Sequence, residues 1–216
     1  MHWRFRKLTY DILVPNLEKS IFNLNEDEAA AYFDWFMEQV PQRVEYVSKI
    51  CAKELGVPLD YMDCSPKSLL LLWKWFRKRA KTEPVVLSST DAEHPNYHNE
   101  IFCNNRQLTL ETEYIIRDVG MYLAETFRKE YSHIYWSYYT EPKRNFFVNH
   151  PLLRGFVDTT TGSPFDAEFE PIHMAGIQAR KILYNKSKDT DLFDIYTIWS
   201  NKTNKAEGKT ENTGDG

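Results

Sequence analysis

Asp118 and Glu125 stand seven residues apart in a stretch of helical periodicity, a spacing that brings two carboxylates to nearly the same face. With an imidazole such as His133 or His150 brought alongside by the fold, two such acids can carry out hydrolysis by general acid–base chemistry. Their surroundings must then separate their proton affinities. The other reading of the same residues is a solvated helix edge, in which Asp118 caps or pairs and Glu125 meets Arg128 or Lys129 at helical spacing.

His94 and His98 are four apart, with Glu100 and Cys103 close in sequence. Zinc takes four protein ligands, or three and a water, and Pro95 and Asn96 oppose the helix that would turn both imidazoles to one side. No metal and no cofactor is therefore expected. A serine nucleophile is not supported either, because Thr161-Gly162-Ser163-Pro164 lacks the Gly-x-Ser-x-Gly elbow. Cys51, Cys64 and Cys103 form no Cys-x-x-Cys pair, and no glycine-rich phosphate loop is present.

Two further clusters invite a binding function. Lys74, Arg77, Lys78, Arg79 and Lys81 follow or flank Trp73, Trp75 and Phe76, and positive charge beside aromatic faces is what single-stranded nucleic acid uses. The same residues also fit a helix with its aromatics inside and its charges in the last turn. Tyr131, Tyr135, Trp136, Tyr138 and Tyr139 crowd one short stretch, and strand alternation would make both faces aromatic. One face can pack on helices; the other is expected to meet a second layer, a ligand or a partner. Trp136, Tyr138 and Tyr139, with His94 and His98, are the expected contact surface, since Tyr and Trp join apolar area to a polar tip.

The run Asp118-Val119-Gly120-Met121-Tyr122-Leu123-Ala124-Glu125, followed by Trp136 and a hairpin, resembles small bacterial proteins in which a Gly-x-Tyr-Leu-Gly-Glu-like helix leads into a Trp-bearing strand. Ala124 stands where Gly is commoner. Some of those proteins are grouped with immunity proteins, which neutralise toxins by binding them. The resemblance covers about 40 residues of the 216 and implies a fold element and a mode of action, with no site residue attached.

The elements that must position these residues are marked along the chain. Asn25 with Glu28 three residues on makes a capping box, and Phe33, Phe36, Val40, Val44, Val47 and Cys51 form one helical face ending at Gly56. Pro41 within it predicts either a kink or a split into two helices. A second helix is expected from Ser65-Pro66 to about Ala80, and a third from Thr109 to about Tyr131. In the third, Gly120 suggests the close approach of another backbone. Ile134 to Tyr139 and Phe146 to Val148 read as a hairpin around Pro142. Leu152 to Val157 reads as a short strand, Pro171 to Tyr184 as a helix, and Leu192 to Trp199 as a strand or a short helix. The long, largely unstructured connection 82–107 is of a kind that is often functional or mobile.

With 27 Lys+Arg against 31 Asp+Glu, a net charge of −4, 42% hydrophobic and 15% aromatic residues, the chain is neither disordered nor generally basic. No window reaches the ~18–20 apolar residues of a membrane span. The basic Met1–Lys7 stretch lacks the apolar run of a secretory signal, and no membrane association is expected. The expected fold is α+β, three to four helices on a small, mainly antiparallel sheet, as one domain over 1–200 with a disordered polar tail over 201–216. The leading functional expectation is a cytoplasmic bacterial protein that acts by binding another protein, with an immunity-type inhibitor of a toxin as the class the resemblance implies. The alternatives are a small hydrolase-type enzyme using Asp118 and Glu125 with a histidine, and nucleic-acid binding through 74–81, although the acidic balance makes a nucleic-acid partner unexpected.

Overall fold

In the computed structural model, which describes residues 9–85, 106–142, 145–157 and 166–207, the Asn25 side chain accepts the Glu28 amide proton at 2.9 Å. The Glu28 carboxylate accepts that of Asn25, also at 2.9 Å. This reciprocal cap opens α1 (Glu26–Leu55), whose first turn places Glu26, Asp27 and Glu28 at the positive end of the helix dipole. The helix runs unbroken through Pro41, with Phe36, Val40 and Val47 buried on either side of it. Gly56, at φ 69°, ends it in the left-handed conformation that glycine adopts freely.

The second helix, α2 (Ser68–Arg79), begins later than expected. Ser65 and Pro66 form a turn before it, in which the Ser65 carbonyl accepts the Ser68 amide at 3.0 Å and the Asp63 carboxylate accepts the Ser65 amide at 2.9 Å. The N-cap position of α2 is Lys67, and no side chain caps it. The ends of the 82–107 connection pair as a short antiparallel ribbon, β1 (Thr82–Pro84) with β2 (Arg106–Leu108). His94 and His98 lie outside the described residues.

The central element is α3 (Leu110–Glu130), capped by the Thr109 hydroxyl and buried along most of its length. It packs against α1, α2, α4 (Pro171–Arg180) and α5 (Asp191–Glu207). Gly120 explains the closeness of α4: a Cβ at that position would lie 2.6 Å from the Ile172 Cα. The α4 helix gives way to a 3-10 turn over Lys181–Tyr184, where a continuous helix to Tyr184 was expected.

The expected hairpin does not form. Residues 145–149 are turns, and β3 (Tyr135–Ser137) pairs instead with β4 (Leu152–Val157), Trp136 opposite Leu153. A third antiparallel strand, β5 (Asp166–Phe169), completes the order β3-β4-β5. The β4–β5 register is irregular between Leu153 and Phe156, and there Gly155 takes φ 104° under the His133 carbonyl, where a Cβ would come within 2.5 Å. Phe156 and Phe169 stand edge-on to Phe127 of α3 at 5.2 and 5.3 Å, and both meet Trp199 of α5. Phe156 and Phe169 thus tie the sheet to both α3 and α5.

The fold is α+β, with five α-helices and two small antiparallel sheets among the described residues. The fifth helix settles Leu192–Trp199 as helical and continues past Asn201 to Glu207, where a disordered tail was expected. Thr203 is fully buried with its hydroxyl on the Ser200 carbonyl, which is why the helix continues despite its polar sequence. No described helix is long and apolar enough to cross a membrane.

Candidate functional site

Asp118 projects from α3 into the gap between α1 and the extended segment before it, with no exposed surface. Its Oδ2 accepts the Tyr10 hydroxyl at 2.6 Å and the Arg43 guanidinium at 2.5 Å (Nη2) and 3.1 Å (Nε). Arg43 also donates to the Asp11 carbonyl at 2.8 Å, and Arg117 donates to the Leu13 carbonyl at 2.6 Å. Burial, then the Asp118 charge, pushes the Tyr10 phenol well above its usual range. Burial works against the charge of Arg43, but Asp118 more than compensates and raises it. This carboxylate is therefore a clamp that ties the N-terminal segment to α1 and α3, closed to water and to any substrate.

Glu125 lies two turns further along α3, roughly 10 Å at 1.5 Å per residue. It binds Arg128 at 2.9 and 3.0 Å, as the solvated-edge reading anticipates, and accepts the Trp136 indole N–H at 2.9 Å. His133 is exposed, its ring 6.0 Å from that of Tyr131. His150 sits among phenylalanines, 5.1 Å from the Phe22 ring. The four acid–base candidates occupy four different environments, and none of the hydrogen bonds, ion pairs or ring contacts found for them joins one to another.

The aromatic stretch divides: Tyr135 is exposed, whereas Trp136 is buried and Tyr138 and Tyr139 are half-buried. Trp136, expected at a contact surface, is only 8% exposed and stands edge-on to Phe36 at 5.2 Å. Tyr138 stacks on Phe33 at 4.7 Å. Tyr139 is half-buried beneath Arg154, and burial, aided by the charge of Glu168, pushes its phenol up to about 12. The second layer over Trp136 and Tyr138 is α1, whose buried face was read from the sequence without its partner.

Exposed aromatic area gathers elsewhere. Phe22 (43% exposed) and Phe146 (61%) bring their rings within 6.3 Å. His173 lies 5.3 Å from both Phe146 and Phe147, and Ile177, one helical turn beyond it, is 42% exposed. Asn149 fixes the two halves of this patch together. It is fully buried at φ 63°, and its amide donates to the Ile21 carbonyl at 2.8 Å and the Leu24 carbonyl at 3.1 Å. Burial, with His173 nearby, lowers His150 to about 4, so its ring is neutral near pH 7. Under the patch, Glu170 caps α4 by accepting the His173 amide, and burial holds its carboxyl up to about 8. Sequence reading missed this patch because Phe22, Phe146 and Ile177 have no local pattern in common; only the asparagine at 149, suited to a left-handed turn, was a signal available in the chain.

The basic cluster divides. Trp73, Trp75 and Phe76 have no exposed surface, so no aromatic face is offered to a base. Arg79 is buried against Glu54 at 2.5 Å, and Lys81 pairs with Glu111 at 2.5 Å. Lys74, Arg77 and Lys78 line a surface cavity. Among the described residues no three His, Cys, Asp or Glu side chains are grouped so as to hold a metal ion. No protein-family model, curated protein or solved structure matches this chain.

Proposed function

We propose that this protein acts by binding another protein through the face formed by Phe22, Phe146, His173 and Ile177. The observation that carries the reading is the pair of exposed phenylalanines held in register by the buried Asn149 amide. Clustered, exposed and rigidly supported aromatics are what interface anchors require, because little side-chain freedom is lost on binding. The contact surface first placed at Trp136, Tyr138 and Tyr139 moves to this face, since those rings are engaged within the chain. The immunity-type resemblance of the Asp118–Glu125 helix supplies the partner class, a toxin met in the cytoplasm.

The test compares the wild-type chain with the double variant Phe22→Ser/Phe146→Ser, both positions being exposed enough for the fold to tolerate the change. Near-stoichiometric capture of one protein from the cell of origin, weakened about tenfold or more by the double variant at unchanged melting temperature, is the expected result. Equal capture by both proteins would refute this surface. Expressing the captured protein in a sensitive host then tests the toxin class: growth should be restored by the wild-type chain and not by the variant.

A further inference from the structure

Glu28, Ala31, Tyr32 and Trp35 stand at the three- and four-residue spacings that share one helical face, and they line one side of a cavity of about 380 Å³. Pro15 to Lys19 and Leu24, from the segment that precedes α1, line the other side. The volume falls within the roughly 300–1,000 Å³ of small-molecule sites, which are mainly apolar with a few polar groups that fix orientation.

That preceding segment is fastened before, within and after the cavity. Arg117 donates to the Leu13 carbonyl at 2.6 Å, the Leu17 amide turns back to the Pro15 carbonyl at 3.0 Å, and Asn149 donates to the Leu24 carbonyl at 3.1 Å. Lys19 reaches across to one oxygen of Glu28 at 2.7 Å, and the other oxygen accepts the Asn25 amide. The cavity is thus preformed, and the Lys19–Glu28 pair cancels charge within its wall. Glu18, the remaining ionised group of the lining, is exposed to solvent.

Tyr32 and Trp35 bring near-parallel rings to the wall, their centroids 5.8 Å apart and their planes at 26°. Both are half-buried, and burial pushes the Tyr32 phenol up to about 12, so it is a neutral hydroxyl near pH 7. Buried tyrosine hydroxyls and tryptophan N–H groups ordinarily find a hydrogen-bond partner. Neither the Tyr32 hydroxyl nor the Trp35 indole N–H has one among the described residues.

We infer that this cavity binds an uncharged hydroxyaromatic compound, whose ring packs on Tyr32, Trp35 and Leu17 and whose hydroxyl bonds with the two open polar tips. A charged ligand would lose hydration against walls whose half-buried groups are neutral or paired. Phe22, Phe146, His173 and Ile177 do not line the cavity, so its occupancy does not require the protein-binding face.

The experiment is an NMR titration of the ¹⁵N-labelled full chain with 2-naphthol, with 2-naphthoate, 2-naphthylmethylammonium and cyclohexanol as comparison ligands. Saturable shifts at the amides of 16–19 and 28–35 and at the Trp35 indole N–H are expected with 2-naphthol, with affinity at least about tenfold above that of each comparison ligand. Trp35→Phe keeps an aromatic wall but removes the N–H, and should weaken 2-naphthol binding severalfold, as the loss of one hydrogen bond does. Ala31→Gln, at an exposed position, fills the cavity from the helix side and should abolish the shifts at unchanged melting temperature. No saturable shift at submillimolar 2-naphthol would overturn the assignment. So would equal or tighter binding of any comparison ligand, or unaltered affinity in either variant.

Discussion

Replacing Gly120 and Gly176 separately with alanine should move stability in opposite directions, although both sit inside helices where alanine is favoured over glycine by about 1 kcal/mol. At Gly120 the new methyl would stand 2.6 Å from the Ile172 Cα and 2.9 Å from its amide nitrogen. Carbon atoms pack at about 3.5–4.0 Å, so α4 must retreat by about 1 Å. That retreat is resisted at its N-terminus by the Glu170 cap and along its length by the fully buried Ala175 and Ala179. Overpacking against backbone falls at the upper end of the usual cost, about 3 kcal/mol. After the helix-propensity gain, Gly120→Ala should lose about 2 kcal/mol, or about 4–8 °C in melting temperature for a chain of this size. At Gly176 the close atom is Arg180 Nη1 at 2.7 Å, the tip of a side chain 53% exposed, and the next is Ile116 Cγ2 at an ordinary 3.8 Å. The arginine can swing aside, so Gly176→Ala should gain up to about 1 kcal/mol. Thermal and urea unfolding followed by circular dichroism measures both. A Gly120→Ala protein as stable as wild type, or two shifts of the same sign, would refute the claim that backbone proximity fixes this glycine.

Four other outcomes follow from the buried polar groups. Glu170 is held near 8 by burial, above its value in the unfolded chain, so its contribution to stability is present in acid and is lost as pH rises between about 4.5 and 8. Glu170→Gln keeps an acceptor for the His173 amide and should remove that decline; urea midpoints across pH 5–9 that fall in parallel for variant and wild type would contradict it. His150, lowered to about 4, has the opposite sign: stability is present above about 6.5 and is lost as pH falls through 4, and His150→Gln should flatten the acid limb of the same curve. Asp118→Asn leaves Arg43 and Arg117 buried without their carboxylate and should cost about 3–5 kcal/mol in urea unfolding. Trp136→Phe removes the bond to Glu125 and should cost about 1 kcal/mol while leaving partner capture untouched, which separates a packing role from an adhesive one.

The features legible in the chain were those whose cause is local. The Asn25–Glu28 box and the Gly56 stop involve residues within one or two turns, and both occur where the side-chain chemistry puts them. Gly120 was legible as a demand for a close neighbour, though not as to which neighbour. The hairpin expectation failed because β-propensity at 146–148 says only that those residues suit a half-buried surface. The segment forms a turn instead, and Leu152–Val157 offers Tyr135–Ser137 a longer strand to pair with. Asp118 and Glu125 lie on one helix, as their spacing required. Their meaning depended on Tyr10, Arg43 and Trp136, none of which that helix could announce.

By itself, then, the sequence determined where the first helix begins and ends, that an α-helix carries Asp118 and Glu125, and that Leu152–Val157 is extended. Capping, periodicity and glycine conformation act within a few residues and need no knowledge of the rest of the chain. Only the tertiary structure decided that Trp136 faces α1, that Phe22 meets Phe146, and that Lys74, Arg77 and Lys78 share a cavity with the 185–189 wall. Exposure and charge balance are sums over neighbours distant in sequence. A ring or an ammonium group becomes a core residue or a contact only when folding has placed, or failed to place, something over it.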